Sequence, residues 1–395
     1  MHIFSQRRCF LFFQPRRPIL NPFSNLLKKK QLLFLSLFVL FIVGTIVFVH
    51  NNHFLYDRTI VKVLETEVVE KTEVIHPLDN IDPLYTQQLT AEIKNGQEKG
   101  KLIYLVNEFS TSKGYDHEFE AGDELFVDLD SARTDTGELQ GTIKDVKRDK
   151  YLMYVAWVFV LVLLMVGRKQ GLLSIVSLVI NALLLSFALD VYLNNANRSL
   201  LLICSIAAVL FTVISLLLVN GFNEKTYAAI IATLLGTFAS LFIVWVVLWG
   251  TSEKGLRYEE LQFITRPYQV VFLAGLFLGS LGAIMDVSIT MSSSMFHMFE
   301  KNNNIPVKSL MKSGMEIGKD IMGTMTNILF FVYVSGSIPI LILYFKNGSP
   351  LGFALSMNLS LEMARALAGG IGIVLTIPIG LYVTIFFINR KRAGL

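Results

Sequence analysis

The sequence predicts a polytopic α-helical membrane protein, with about eight transmembrane helices and a small, mostly-β extracytoplasmic domain between the first and second spans. Three observations predict it. The 395-residue chain is 53% hydrophobic and 17% charged. Its apolar residues gather into runs near the roughly 20 residues that cross a bilayer as a helix. One long polar stretch, residues 51–150, stands apart, with 21 acidic against 12 basic residues. Such a chain is no soluble globular protein, because its apolar surface exceeds what a water-facing core encloses.

The first 30 residues hold Arg7, Arg8, Arg16, Arg17, Lys28, Lys29 and Lys30 and no acid. A basic flank of that kind stays in the cytoplasm. It reads as a basic cytoplasmic tail, 1–30, ahead of a retained first span at 31–49. The apolar run is too long for a signal-peptide core and lacks a small-residue cleavage site. The acidic region 50–150 then lies outside. Within it, residues 50–75 alternate apolar and charged positions, as a strand does. His50 and His53 stand three apart, but nothing completes a metal site around them. Pro77, Asp79, Asn80, Asp82 and Pro83 mark a loop. Gln87–Lys99 is expected as one short helix. The stretches GKLIYLVNEFS, EAGDELFVDLD and GELQGTIKDVKRD read as strands between Gly/Asp turns. With Cys9 and Cys204 as the only cysteines, the domain folds without disulfides.

From 151 to 390 come seven further apolar runs, near 152–167, 171–193, 199–219, 227–249, 268–290, 321–344 and 364–388, followed by the tail 391–395. Lys/Arg-bearing loops fall on one side of this count, placing both termini in the cytoplasm. The segment 295–319 carries Met, Phe and Lys at helical spacing and is expected to lie on the inner membrane surface. No internal repeat is visible.

Ionisable groups inside spans are costly and mark either a function or a partnered structural site. At helical spacing, Gly279, Gly282, Asp286, Thr290 and Ser293 share one face, and Glu316, Asp320, Gly323 and Asn327 share another. Glu362, Arg365, Gly369, Gly372 and Thr376 make a third. All three faces are expected to point into the bundle. Asp286 falls near the cytoplasmic side by helix rise, and Asp320 is expected to begin the next helix there. Two carboxylates so placed raise each other's pKa and can share a proton or hold a cation. The competing reading makes Asp320 a first-turn charge stabilised by the helix dipole, with Lys312 and Lys319 neutralising the acids. Asn181, Asp190, Glu362 and Arg365 read as structural intramembrane polar residues, Arg365 pairing with Glu362 or Asp190. No phosphate-binding, hydrolase or zinc motif occurs, so no catalytic residue, metal or cofactor is expected. Positive-inside topology accounts for the basic tail without nucleic acid.

At GAIMDVSIT (Gly282–Thr290) and GKDIMGTMTN (Gly318–Asn327), with the turn at Gly122-Asp123, the chain resembles the YibE/F family of bacterial multi-span membrane proteins. It looks like the long form, with an N-terminal span and extracytoplasmic domain, over roughly residues 100–390. The resemblance implies a bacterial cytoplasmic membrane location and carries no established activity and no catalytic residues. Two functions are expected from the residues. One is permease-like transport of a small solute or ion along Asp286, Thr290, Asp320 and Asn327. The other is a membrane scaffold or sensor whose outer domain binds an envelope partner. Beyond the lipid bilayer, a homo-oligomer is the further partner that the Gly faces permit.

Overall fold

A computed structural model describes residues 22–73, 75–76, 80–113, 116–129, 139–195, 199–252, 254–261 and 267–394. The tail up to residue 21, with Cys9, and Pro77 and Asp79 of the expected loop lie outside the described residues. The chain divides into two compact units, one running to Phe159 and the other from Val160 onward.

The first unit is a closed five-stranded barrel carried between two helices. Helix α1 (Pro22–His50) leads into strands β1 (Thr59–Thr72), β2 (Leu84–Ile93), β3 (Leu102–Ser110), β4 (Glu124–Leu129) and β5 (Leu139–Val146), and helix α2 (Asp149–Asn194) follows. Strand order is β1-β2-β3-β5-β4, closing back on β1, with β3 and β5 parallel and the other pairs antiparallel. This is a five-stranded Greek-key barrel of the OB type. Its core is Val61, Val63, Leu89, Ile93, Ile103, Leu105, Leu125 and Val127.

Residues 87–93 are strand, which corrects the expected helix. Gln87, Leu89, Ala91 and Ile93 are buried at every second position, a period that a helix does not produce. Burial by the tertiary fold outweighs the local preference of this polar segment for helix. The register of β1 slips after Val63 and after Val68, bulges that bend the strand so that it pairs with both β2 and β4. Gly122, at φ 105°, makes the turn into β4 while its N–H bonds Val63 O at 2.9 Å. Gln87, 2% exposed, donates to Phe119 O and accepts from Phe119 N, clipping the β3–β4 connection to the sheet.

Asn95 ties the chain entering the barrel. Its Oδ1 accepts from Ile60 N at 2.7 Å, and its Nδ2 faces the carbonyls of His53, Tyr56 and Arg58 at 2.9–3.2 Å. Asn95→Ala leaves a buried N–H without an acceptor, a loss of about 1–3 kcal/mol. Hydrogen exchange in the full chain will show it as faster exchange at the Ile60 amide. In the same unit α1 lies along the start of α2. Trp157 donates from Nε1 to Thr45 Oγ1 at 2.9 Å and packs edge-on against Phe38 and Phe41.

In the second unit α2 continues, then α3 (Leu200–Asn220), α4 (Glu224–Thr251), α5 (Tyr268–Lys301), α6 (Val307–Ser335), α7 (Ile338–Lys346) and, after a short helical stretch at 351–358, α8 (Ser360–Ala393). Among the described residues five helices are long and apolar enough to cross a membrane, or six if the bent pair α6 and α7 makes one span. Helix α2 has 46 residues, about twice the length a bilayer core needs. It breaks at Arg168, whose φ of 47° and ψ of −120° are not helical. A Cβ on Gly171 would stand 2.3 Å from Leu163 O, an approach that a straight helix forbids. The two runs expected at 152–167 and 171–193 are therefore the arms of one sharply bent element.

The expected surface helix at 295–319 is corrected as well. Helix α5 runs on to Lys301, the chain turns at Asn302–Pro306, and α6 begins at Val307. Met295, Phe296, Phe299 and Leu310 are no more than 2% exposed and pack with Leu381, Ile385 and Ile388 of α8. Their apolar stripe meets protein rather than lipid. Helix α6 ends at Gly336-Ser337 and α7 leaves at 59°, with Pro339 in its first turn. Proline there has no N–H to continue the helix it follows.

Helix α8 is the centre of this unit and packs against α4, α5 and α6. Its buried Gly369 and Gly372 admit Leu329 and Ile284 of the neighbouring helices, and Thr376 is fully buried against Gly236 of α4.

Candidate functional site

The expected site residues lie on α5 and α6, and their depth is set by packing. Gly236, in the middle of α4, stands against Ile284, so Asp286 sits near the mid-level of the bundle. That is deeper than the cytoplasmic edge inferred from helix rise, because α5 is 34 residues long and extends well past its apolar run. Asp320 lies 13 residues inside α6, not at its start. The helix-dipole reading of Asp320 therefore falls, since that effect is confined to the first turn.

The register of the α5–α6 pair is fixed by Met295 against Gly314 and by the Tyr333 hydroxyl against Gly279. It places Asp286 level with Gly323 and Asp320 level with Ile289, about one helical turn apart. The two acids are thus close in height. Neither has an ion pair among the described residues.

Their orientation departs from expectation. Gly275, Gly279, Gly282, Asp286 and His297 are exposed, with Thr290 and Ser293 half-buried. On α6, Glu316, Lys319, Asp320, Gly323, Thr324 and Asn327 are exposed as well. The sides of these helices that face the bundle are instead Ile284, Val287 and Met291 on α5, and Leu310, Gly314, Gly318 and Leu329 on α6. The expectation that both polar faces point inward is corrected. Small-residue spacing marks a face that something approaches closely, and spacing alone does not say whether that something is the same chain. Only the α8 stripe, with Gly369, Gly372 and Thr376, points into the core.

The structural set fares differently. Asn181 donates from Nδ2 to Ser215 Oγ at 2.7 Å, joining α2 to α3. Arg365 pairs with Glu362 one turn away, and its guanidinium lies 5.3 Å from the centre of the Phe272 ring. Asp190 does not reach Arg365; it accepts from Asn194 at 3.0 Å. At one end of the α5 stripe a pocket of 350 Å³ is lined by Lys225, Ser293, Ser294, Phe296, His297 and Glu300. His50 and His53 do not converge: His50 bonds Ile46 O, and His53 stands 3.3 Å from Glu124. No group of three or more His, Cys, Asp or Glu able to hold a metal occurs among the described residues.

Two features of the barrel escaped the sequence reading. The first is a buried charge cluster at its base. Lys147, 2% exposed, stands 2.9 Å from Glu124 and 3.0 Å from Asp149. Asp149 also accepts from Asn52 at 2.8 Å and from the Tyr56 hydroxyl at 3.0 Å. Burial opposes the charge on Lys147, but its two carboxylate partners outweigh burial and hold its pKa above the ordinary lysine value. Burial and the Asp149 carboxylate likewise push Tyr56 up. The second feature is a groove of 1010 Å³ across β1, β2, β3 and β5, lined by Gln88, Thr90, Tyr104, Val106, Gln140 and Thr142, with Glu65 and Glu67 at β1. Its described lining contains no lysine or arginine.

Long apolar helices joined to a small OB-type barrel define a membrane protein with an N-terminal β domain. More narrowly, residues 155–390 match the YibE/F-like protein family, and residues 54–146 match the YibE/F family N-terminal domain. The chain belongs to the YibE/F family. The whole barrel, from β1 to β5, is thus part of the family's pattern, which starts earlier than the residue near 100 where the resemblance read from motifs begins. No curated protein and no solved structure matches the chain.

Proposed function

We propose that the chain is a permease-like protein of the bacterial cytoplasmic membrane that moves a small solute or ion, using Asp286, Thr290, Asp320 and Asn327. Eight spans follow when α1, each arm of α2, α3, α4, α5, the α6–α7 pair and α8 are each counted once. The basic residues 1–30 and the acidic stretch 51–150 put both termini in the cytoplasm and the barrel outside. One observation carries the functional reading: a stripe of small and polar residues, Gly279, Gly282, Asp286, Thr290 and Ser293, with its acid at mid-bundle, runs along a helix long and apolar enough to cross a membrane. Such a residue has a large solvation cost unless it meets a polar partner or serves an ion or solute path. The reading needs no catalytic residue, metal or cofactor.

The test is a proteoliposome assay of proton and of monovalent and divalent cation flux, comparing the native chain with Asp286→Asn. Loss of at least about tenfold of the flux is expected, as for removal of a charge that the ion meets directly. Equal flux in both, with both assembled, overturns the role of Asp286.

The groove on the barrel favours a second reading, a scaffold or sensor whose outer domain binds an envelope partner. Its amide, hydroxyl and Tyr104 lining, flanked by acids, suits a neutral or cationic partner and repels a polyanion. On this reading Tyr104→Ala weakens binding of the envelope partner and Asp286→Asn leaves it intact.

A further inference from the structure

The outward surfaces of the membrane helices are not alike. Helices α2, α3, α4 and α8 present apolar side chains, such as Leu183, Leu210, Leu235, Phe242, Leu367 and Phe386, each at least 42% exposed. That is what hydrocarbon requires of a helix that faces it. Helix α5 and α6 as far as Asn327 differ: Asp286, Asp320 and Asn327 are exposed among glycines, and large apolar side chains on the outer side of α6 begin only at Ile328. A carboxylate left against lipid costs about 2.5–3.5 kcal/mol on insertion scales. Among the described residues of the second unit, none covers them.

We propose that this face of α5 and α6 is the contact between two copies of the chain. Three observations select a second copy. Gly275, Gly282 and Gly323 have open space where a Cβ would be, with no atom within 4 Å, so another helix can approach their backbones closely. Close approach lets the polar side chains beside them find hydrogen-bond partners that lipid lacks. Along the exposed side of α6 the charges run Lys312, Glu316, Lys319, Asp320, and none of them is paired within the chain among the described residues. A twofold axis along α6 sets each residue at the height of its own counterpart, so Glu316 of one copy lies about one turn from Lys312 and from Lys319 of the other. The row is therefore complementary to itself, as an isologous interface demands. The contact satisfies Asp286 and Asn327 whether or not the protein transports anything, so it stands apart from the function proposed above.

Cysteine cross-linking of the full chain in membranes tests it. Cys9 and Cys204 are first replaced by alanine. Single cysteines are then placed at Gly282 and Gly323, where the added side chain meets no neighbour, and at Leu235 and Leu367 as lipid-facing controls. Under a mild oxidant, Gly282→Cys and Gly323→Cys are expected to shift most of the chain to dimer mobility, while the controls stay monomeric. Two differently tagged copies expressed together are expected to co-purify through that bond. A lipid-soluble maleimide shows that all four thiols are reachable. Labelling at Gly282 and Gly323 equal to the controls, with no dimer, overturns the proposal. So does a cross-link to any protein other than the second copy.

Discussion

Lys147→Met is expected to destabilise the barrel by about 3 kcal/mol, the lower end of the cost of breaking a buried ion pair. The loss comes from what remains behind. Asp149 keeps Asn52 and Tyr56 as donors. Among the described residues Glu124, whose side chain is 9% exposed, keeps only His53 at 3.3 Å. A second substitution separates this cause from simple loss of packing. With Glu124→Gln added, the stranded charge is gone, so the double variant is expected to be more stable than Lys147→Met alone. Hydrogen exchange in the full, solubilised chain reads both through the amides of β1, β4 and β5. The pH dependence has a fixed sign. A lysine whose folded pKa is raised contributes fully below its ordinary value of 10.5 and loses the contribution as pH rises through the folded value. The difference between native chain and variant is therefore flat from pH 6 to 9 and shrinks only in alkali. A difference that shrinks between pH 6 and 9 would overturn the assignment to Lys147.

The helices of the second unit were legible because hydrophobic length is a local property, and runs such as 199–219 and 227–249 became α3 and α4 almost residue for residue. The break at Arg168 was legible too, since a Gly-Arg-Lys interruption between apolar runs has a plain physical meaning. Three things were not. Residues 87–93 carry a weak helical preference that the barrel overrides. The α5–α6 turn at Asn302–Pro306 was hidden because Met, Phe and Lys at helical spacing describe a helix lying on lipid and a helix lying on α8 equally well. The third is the direction of a face. The spacing of Gly282, Asp286 and Thr290 correctly put them on one side of a helix, but periodicity has no sign, and only packing against α4 and α8 shows that this side points outward. Lys147 lay beyond reach for a related reason: Glu124 and Asn52 come to it from distant segments, and no spacing along the chain records that meeting.

The seam between α4 and α8 depends most on a single absent methyl group. A Cβ on Gly236 would stand 2.2 Å from Thr376 Oγ1 and 3.3 Å from Thr376 Cβ. Thr376 cannot swing aside, because it is β-branched and fully buried, and its hydroxyl bonds Gly372 O at 2.7 Å. One turn along, Ser240 donates to Ala368 O at 2.9 Å, a bond between the helices that separation would stretch. Gly236→Ala is therefore expected to cost about 1–3 kcal/mol by overpacking, and Gly236→Val more, since its branch enters the same space. Thermal unfolding of the purified chain in detergent measures both. The decisive comparison is with Thr376→Ala, which removes the obstructing oxygen. If the clash is the cause, Gly236→Ala and Thr376→Ala together destabilise less than the sum of the two, a coupling of about 0.5–3 kcal/mol. Strict additivity would mean that α4 and α8 are free to move apart, and that α8 is not the rigid centre against which α5 and α6 hold their polar faces outward.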